Sequence, residues 1–540
     1  MSNVKKYFIW IAILLLAGLL RFYKLGELPS GLTWDEAAIA YNGYSIVKVH
    51  RDEWLQLMPI SFKSFGDFKA PLAIYINGAV TYLLGITTWS IRLPFALLGV
   101  MAVLGMMLMV EQIYLLDKKR QKTRLNFKTA GIISGVLLAL SPWHILFSRV
   151  GFESGLALAL LIWGVFFLLK WQQSSKYKIL WLLLSASLLT STLYAYHSAK
   201  VAMPLLVMSV MWWFYKKQIL KNRYTLVFFL SMLILSYPVL YDSFAGEGLT
   251  RAGVTIFAQT GYTLQTFKTF ISNTSSHLSP GFLIKGVADS LRHSTGRWGV
   301  LLPTSFILWV LGVWQVIQSY IFETKENKDK TKLSVYLALS FTIFGLLPAI
   351  IGQEVPHPNR ALLALPGFIL FILLGIEHVE VILGNYQKKI KLLIYSLLIL
   401  LYGTSFVAFA GYYLNSYGQK TSQEFIAGYL ETAELAWQYL EGKDDYPPVD
   451  QVVMTSQYGQ PYIYVLLAGE INPISYHAGA LVQFLFLDEV TTGDLSRDNA
   501  LIIAKPGTFG LQAARATQVI YDDYGREQFW LFVTEKEVDY

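Results

Sequence analysis

The sequence predicts a mainly α fold. It reads as a polytopic transmembrane helical bundle of about 11 spans plus outer-leaflet helices, followed by a small C-terminal extracytoplasmic α/β domain.

 Three observations carry this expectation. Hydrophobic residues make up 54% of the chain and charged residues only 15%, against roughly 25% charged in an ordinary soluble domain. The apolar residues fall in runs near the 20 or so that one helix needs to cross a bilayer core, and mean hydropathy is +0.44. Half of the 44 Lys and Arg lie in six short segments between those runs, at 5–6, 118–128, 170–178, 216–223, 325–332 and 388–391. Such segments are cytoplasmic loops by the positive-inside rule, so the net charge of +8 does not indicate a nucleic-acid partner. The chain has no Cys, which excludes disulfides, zinc–thiolate sites and cysteine nucleophiles.

The elements follow in order. The first apolar run, 8–22, comes after Lys5 and Lys6 and is followed by Arg21-Phe22-Tyr23-Lys24. That sequence offers no small-residue cleavage site, so the run reads as an uncleaved span and not a signal peptide. With the six basic segments inside, runs near 129–147, 179–196, 225–241, 334–352 and 392–413 travel outward. Runs near 92–115, 153–170, 199–215, 299–320 and 361–384 travel inward. The odd total puts the C-terminus outside the cytoplasm. Residues 71–88 are apolar enough to cross, but crossing would place the basic 117–128 loop outside. They are therefore read as a helix lying in or dipping into the outer leaflet. The expected domains are a membrane domain, 1–415, with external loops 21–90 and 242–298, and a soluble domain, 416–540. Within the latter, the spacing predicts a helix over 421–440 and strands over 451–455, 500–504, 517–521 and 529–534. Asn273-Thr274-Ser275 matches a glycosylation sequon, a pattern frequent by chance.

Mixed ionisable residues gather in the external turns, where a group at the bilayer edge is costly unless paired, solvated or used. Asp35 and Glu36 stand at a predicted helix start with Thr33 as N-cap, which suits either a structural carboxylate pair or a functional one. Asp67 and Lys69 follow in Phe65-Gly66-Asp67-Phe68-Lys69-Ala70-Pro71. Arg149, Tyr196, His197, Lys200, Arg292, His293, His357 and Arg360 complete the candidate set. Arg forks and Lys point charges suit a phosphorylated, lipid-borne ligand, while lipid head groups and snorkelling are the ordinary alternative. His144 and His378 lie beside apolar runs and read as structural. No H-E-x-x-H, Walker A, G-x-S-x-G or dinucleotide fingerprint stands in a suitable context.

Taken together, Trp34-Asp35-Glu36-Ala37, the 65–72 segment, Ile91-Arg92-Leu93-Pro94 and Ser141-Pro142-Trp143-His144 resemble membrane glycosyltransferases of the GT-C superfamily. Tyr194 to Lys200, Leu291-Arg292-His293-Ser294 and Pro356-His357-Pro358-Asn359-Arg360 extend the likeness, which covers about 8–415. The nearest types are protein O-mannosyltransferases and lipid A aminoarabinose transferases. The resemblance implies that 1–415 is catalytic and that a sugar moves from a polyprenyl-phosphate carrier to a protein, lipid or glycan acceptor outside the cytoplasm. It implies inversion, Asp35 as base with Glu36 beside it, and Lys69 on the donor phosphate. Arg292, His293 and Arg360 are the expected companions of Lys69. The departures are Ala70 where the family has Pro, and an acidic residue two positions before Lys69, not beside it. A divalent metal, with Asp67 or Glu36 as ligand, is neither required nor excluded by the residues. The expected location is the plasma membrane. A transporter or flippase of lipid-linked sugars would need ionisable residues near the midplane and related halves. A non-catalytic envelope protein would not need Asp35 or the external cations.

Overall fold

Every apolar run that the sequence assigns to a span contains a helix in the computed structural model, which describes residues 3–120, 125–220, 222–246, 253–287, 290–322, 332–443, 445–509 and 516–535. Seven helices among the described residues are long and apolar enough to cross a membrane. Asn3–Phe22 and Pro303–Phe322 are apolar helices of 20 residues beside them. The run 129–147 is interrupted: Phe127–Ala139 ends at Leu140, and Ser141 caps a separate short helix, Pro142–Phe147. Residues 71–88 supply the helix Pro71–Leu84, of 14 residues. At 1.5 Å per residue that is about 21 Å, short of a bilayer core of roughly 30 Å.

The chain divides into two compact units, and the division differs from the one expected. One unit holds Met1–Tyr23, Phe68–Leu72 and Phe95–Tyr412, and the other holds Lys24–Asp67, Ala73–Pro94 and Tyr413–Tyr540. The change at Tyr413 lies close to the expected boundary at 415/416. Most of the first loop, however, groups with the C-terminal residues and not with the spans.

In the first unit, helices Pro303–Phe322 and Leu365–Ile382 meet through Gly312 and Gly375. A Cβ on either glycine would overlap the backbone of the facing helix, the small-residue contact by which apolar helices approach closely. Buried carboxylates fasten the basic ends of other helices. Glu111 pairs with Lys6 at 2.7 Å and Glu377 with Lys332 at 3.2 Å. Asp117 accepts from the backbone N–H groups of Leu333, at 2.6 Å, and Ser334, at 3.0 Å, two of the donors that a helix start leaves unpaired.

The second unit is built on a five-stranded mixed sheet. Its strands are β1 (Gln451–Thr455), β2 (Phe484–Leu487), β3 (Ala500–Ala504), β4 (Gln518–Tyr521) and β5 (Glu527–Val533). The order is β2-β1-β3-β5-β4, with β1 parallel to both neighbours and β5 antiparallel to both of its own. Alternation places Val452, Met454, Leu501, Ile503, Phe529 and Leu531 on one face, and Val453, Ile502, Ala504, Trp530 and Phe532 on the other. The predicted helix over 421–440 is split. Ile426 and Gly428 take positive φ, so the regular helix begins at Tyr429 and runs to Glu441. Strand β2, in Phe484-Leu485-Phe486-Leu487, was not among the predicted strands.

The first sheet face shares its core with the first loop. Leu32, Ala37, Ala38, Ala40, Tyr41 and Ile91 are buried in the same cluster as Tyr429, Ala433, Ile463, Tyr464 and Leu531. Polar contacts repeat the connection. Tyr464 donates to the Leu32 carbonyl at 2.7 Å, Ser30 to Asp523 at 2.7 Å, and Tyr462 to Glu53 at 2.7 Å. The helix Trp34–Val49 also crosses Pro71–Leu84 at Gly43 and Gly78, where a Cβ on Gly43 would stand 2.7 Å from the Gly78 nitrogen.

Candidate functional site

The second unit carries Asp35, Glu36 and Asp67. Thr33 is the N-cap of Trp34–Val49, and its hydroxyl accepts from the Glu36 N–H while the Glu36 carboxylate accepts from the Thr33 N–H. This reciprocal capping box fixes the first helical turn. Arg92 completes it: Nε donates to Glu36 Oε1 at 2.8 Å and a terminal nitrogen to Oε2 at 3.3 Å. The same guanidinium donates to the carbonyls of Leu25, Pro29 and Gly31. Arg92 and Glu36 are both almost wholly buried. Glu36, expected beside Asp35 as part of the catalytic pair, is thus a structural carboxylate. Both its oxygens are engaged by Arg92 and the cap. Asp35 occupies the same first turn and is half-buried.

Lys69 belongs to the first unit and is buried. Its preceding carbonyl, Phe68, accepts from His197 Nε2 at 2.7 Å. A carbonyl only accepts, so this contact places the ring proton on Nε2 and makes His197 a support for the backbone next to Lys69. Tyr196 is buried at the end of helix Lys178–Ala195, and Lys200 donates to Ser243 at 3.5 Å.

A histidine group lies elsewhere in the same unit. The His293 and His357 rings are 4.9 Å apart between centroids. The His357 N–H donates to His277 Nε2 at 3.1 Å, and His277 Nδ1 donates to the Asn273 carbonyl at 2.8 Å. Burial, with His293, Arg360 and His277 nearby, pushes the His357 imidazole down to about 2. It is therefore neutral near pH 7. Arg360 pairs with the exposed Glu354 at 3.1 Å. His293 packs on Phe152 at 5.3 Å and meets Ser290 at 3.0 Å, while Arg292 beside it is half-buried.

Arg149 lies against the end of the first helix. It is fully buried and donates to the carbonyls of Leu20, Arg21 and Tyr23, capping the last turn of the first helix. Asn273 of the sequon is buried too, its amide donating to the Ile350 carbonyl at 2.8 Å. Among the described residues, no three His, Cys, Asp or Glu side chains come together as a metal set.

Sequence reasoning missed two polar centres. Arg92 was quoted in a motif, and an Arg at the head of an apolar helix is itself a signal of a buried partner. Glu53, in the first loop, is not among the residues the sequence singles out. It is fully buried, its Oε1 accepts from Tyr462, its carbonyl meets His477 at 2.9 Å, and its N–H donates to Asn42 at 2.9 Å.

The fold is shared with solved structures of two membrane-bound sugar transferases. It is similar to ArnT from Cupriavidus metallidurans bound to undecaprenyl phosphate, with 12% identity, a TM-score of 0.52, and coverage of 98% of both chains. It is also similar to the apo oligosaccharyltransferase of Archaeoglobus fulgidus, at 11% identity and a TM-score of 0.53, over 94% of this chain and 70% of that one. The same archaeal enzyme, AglB, in complex with an inhibitory peptide and a dolichol phosphate, matches at 11% identity and a TM-score of 0.51, over 98% and 74%. No protein-family model matches the chain, and no curated protein does.

Proposed function

We propose that the protein is a multi-pass plasma-membrane glycosyltransferase that moves a sugar from a polyprenyl-phosphate carrier to a hydroxyl acceptor on the extracytoplasmic side. The observation that carries this reading is likeness over 98% of both chains to a structure holding undecaprenyl phosphate. In this reading Asp35 takes the acceptor hydroxyl proton as the oxygen bonds to the anomeric carbon. The bond from that carbon to the phosphate oxygen breaks, the lipid phosphate leaves with the electron pair, and the configuration inverts. A phosphate is already a competent leaving group, so a cation stabilising its charge matters more than a general acid. Lys69 is the candidate for that role, with Arg292, His293 and Arg360 as companions, and Asp67 as a neighbour of the Lys69 segment.

The capping box and Arg92 support the assignment of Asp35, because they hold the first turn of its helix rigid, and positioning is the larger part of what a base of this kind contributes. The test is a screen of lipid-linked sugar donors against the purified protein in nanodiscs, reading sugar release and acceptor mass. Release that disappears in Asp35→Asn while donor binding persists supports the reading. No release from any polyprenyl-phosphate sugar, with the donors shown to bind, overturns it.

A further inference from the structure

The helix Leu264–Leu278 divides its surface into three sectors. At about 100° per residue, Leu264, Phe267, Ile271 and Leu278 share one face, and all four are exposed. Gln265, Lys268 and Ser272 form an exposed polar face beside it. Thr266, Asn273 and His277 make up the third face, which is buried. An apolar face left open on a helix of 15 residues, too short to cross a bilayer, is the pattern of a helix that lies in a membrane surface.

The residues leading into it point to the same partner. The spanning helix Asn222–Ala245 precedes it in the chain and exposes Tyr237, Tyr241 and Phe244 toward its end. Phe257 and Tyr262 follow, both exposed, with ring centroids 5.5 Å apart. Tyr and Phe at the end of a span, followed by an amphipathic helix with Lys268 on its exposed polar face, match the headgroup level of a bilayer. The buried face holds something else in place. Asn273 donates to the carbonyls of Ile350 and Gly352, His277 accepts from the His357 N–H, and the Ile256 N–H donates to the Ile351 carbonyl at 2.9 Å. These contacts fix the turn that carries His357 and Arg360.

We propose that Leu264–Leu278 is a membrane-surface helix whose Leu264, Phe267 and Ile271 face lies in the lipid leaflet, and whose Asn273 and His277 face sets the His357–Arg360 turn at a defined height above it. The partner is the phospholipid bilayer itself. The second half of the proposal rests on the donor-phosphate reading above, and the first half does not.

The absence of Cys makes the test direct. Single Cys residues at positions 265, 267, 271 and 272 are spin-labelled in nanodiscs of phosphatidylcholine and phosphatidylglycerol, and collision with oxygen is compared with collision with a water-soluble nickel chelate. Labels replacing Phe267 and Ile271 are expected to favour oxygen, and those replacing Gln265 and Ser272 the chelate. Equal chelate access at all four overturns the surface assignment, whatever the enzymatic activity proves to be. For the coupling, a Phe267→Asn and Ile271→Asn double variant is expected to weaken binding of undecaprenyl phosphate in nanodiscs about tenfold, since two apolar side chains leave the leaflet. Lipid-exposed labels with unchanged affinity would overturn the coupling alone.

Discussion

Glu53 makes the second unit less stable as pH rises from the acid range toward neutrality. Burial, opposed in part by the bonds from Tyr462 and Asn42, raises its carboxyl from an ordinary 4.5 to about 7. Asp52 beside it is raised by burial as well and adds to the upward shift of Glu53, while His477 acts against it; Tyr462 and Tyr476 stay neutral, their phenols pushed up by burial. The folded state therefore holds a proton that the unfolded chain releases near 4.5. Stability is full below that value, falls as pH rises toward about 7, and is flat above it. At 1.36 kcal/mol per pH unit, the loss is about 3 kcal/mol, or roughly 10²-fold in the opening equilibrium. Glu53→Gln keeps an oxygen for the Tyr462 hydroxyl and cannot ionise. Amide hydrogen exchange across Pro461–Ala468 and Pro473–His477, corrected for intrinsic rates, should show protection falling between pH 4.5 and 7 in the parent and level in the variant. A level profile in the parent, or the same slope in Glu53→Gln, would refute the argument.

Other outcomes follow from the buried ion pair and the candidate residues. Arg92→Met leaves the Glu36 carboxylate buried and unpaired, and should cost about 3–5 kcal/mol in chemical unfolding; a companion Glu36→Gln change should recover part of it. Asp35→Asn should lower turnover roughly 10²-fold or more while donor affinity holds, measured by single-turnover sugar release. Lys69→Ala should weaken donor binding by about 1.5–3 kcal/mol, the value of one charge-assisted hydrogen bond, read by isothermal titration in nanodiscs. Accessibility labelling of single Cys variants in the 117–128 loop should occur only from the cytoplasmic side in intact cells, and labelling from outside would reverse the proposed topology.

Much of the membrane part was legible because length and hydropathy act locally. The spans need only a run of apolar residues, and each run contains a helix. The Thr33 cap could also be read directly, since a capping box is a four-residue pattern. What the sequence hid were partners far apart in the chain. Glu36 reads as the neighbour of a catalytic Asp35, and its partner Arg92 lies 56 residues away. Arg149 reads as a candidate site residue, and its guanidinium donates to carbonyls near residue 21. The split of the 421–440 helix was hidden for another reason: its apolar spacing is helical throughout, and only the positive φ at Ile426 and Gly428 breaks it. Strand β2 is a short apolar run, where periodicity does not separate strand from helix.

The core shared by the first loop and the C-terminal sheet has a consequence for biosynthesis. Ala37, Ala38 and Tyr41 leave the ribosome early, yet the surfaces that cover them, from Ile426 onward, are made last. At about 5–20 residues per second, the interval is on the order of 20 to 75 s. During that time the helix Trp34–Val49 has an uncovered apolar face, and a chain cut short before the sheet would never cover it.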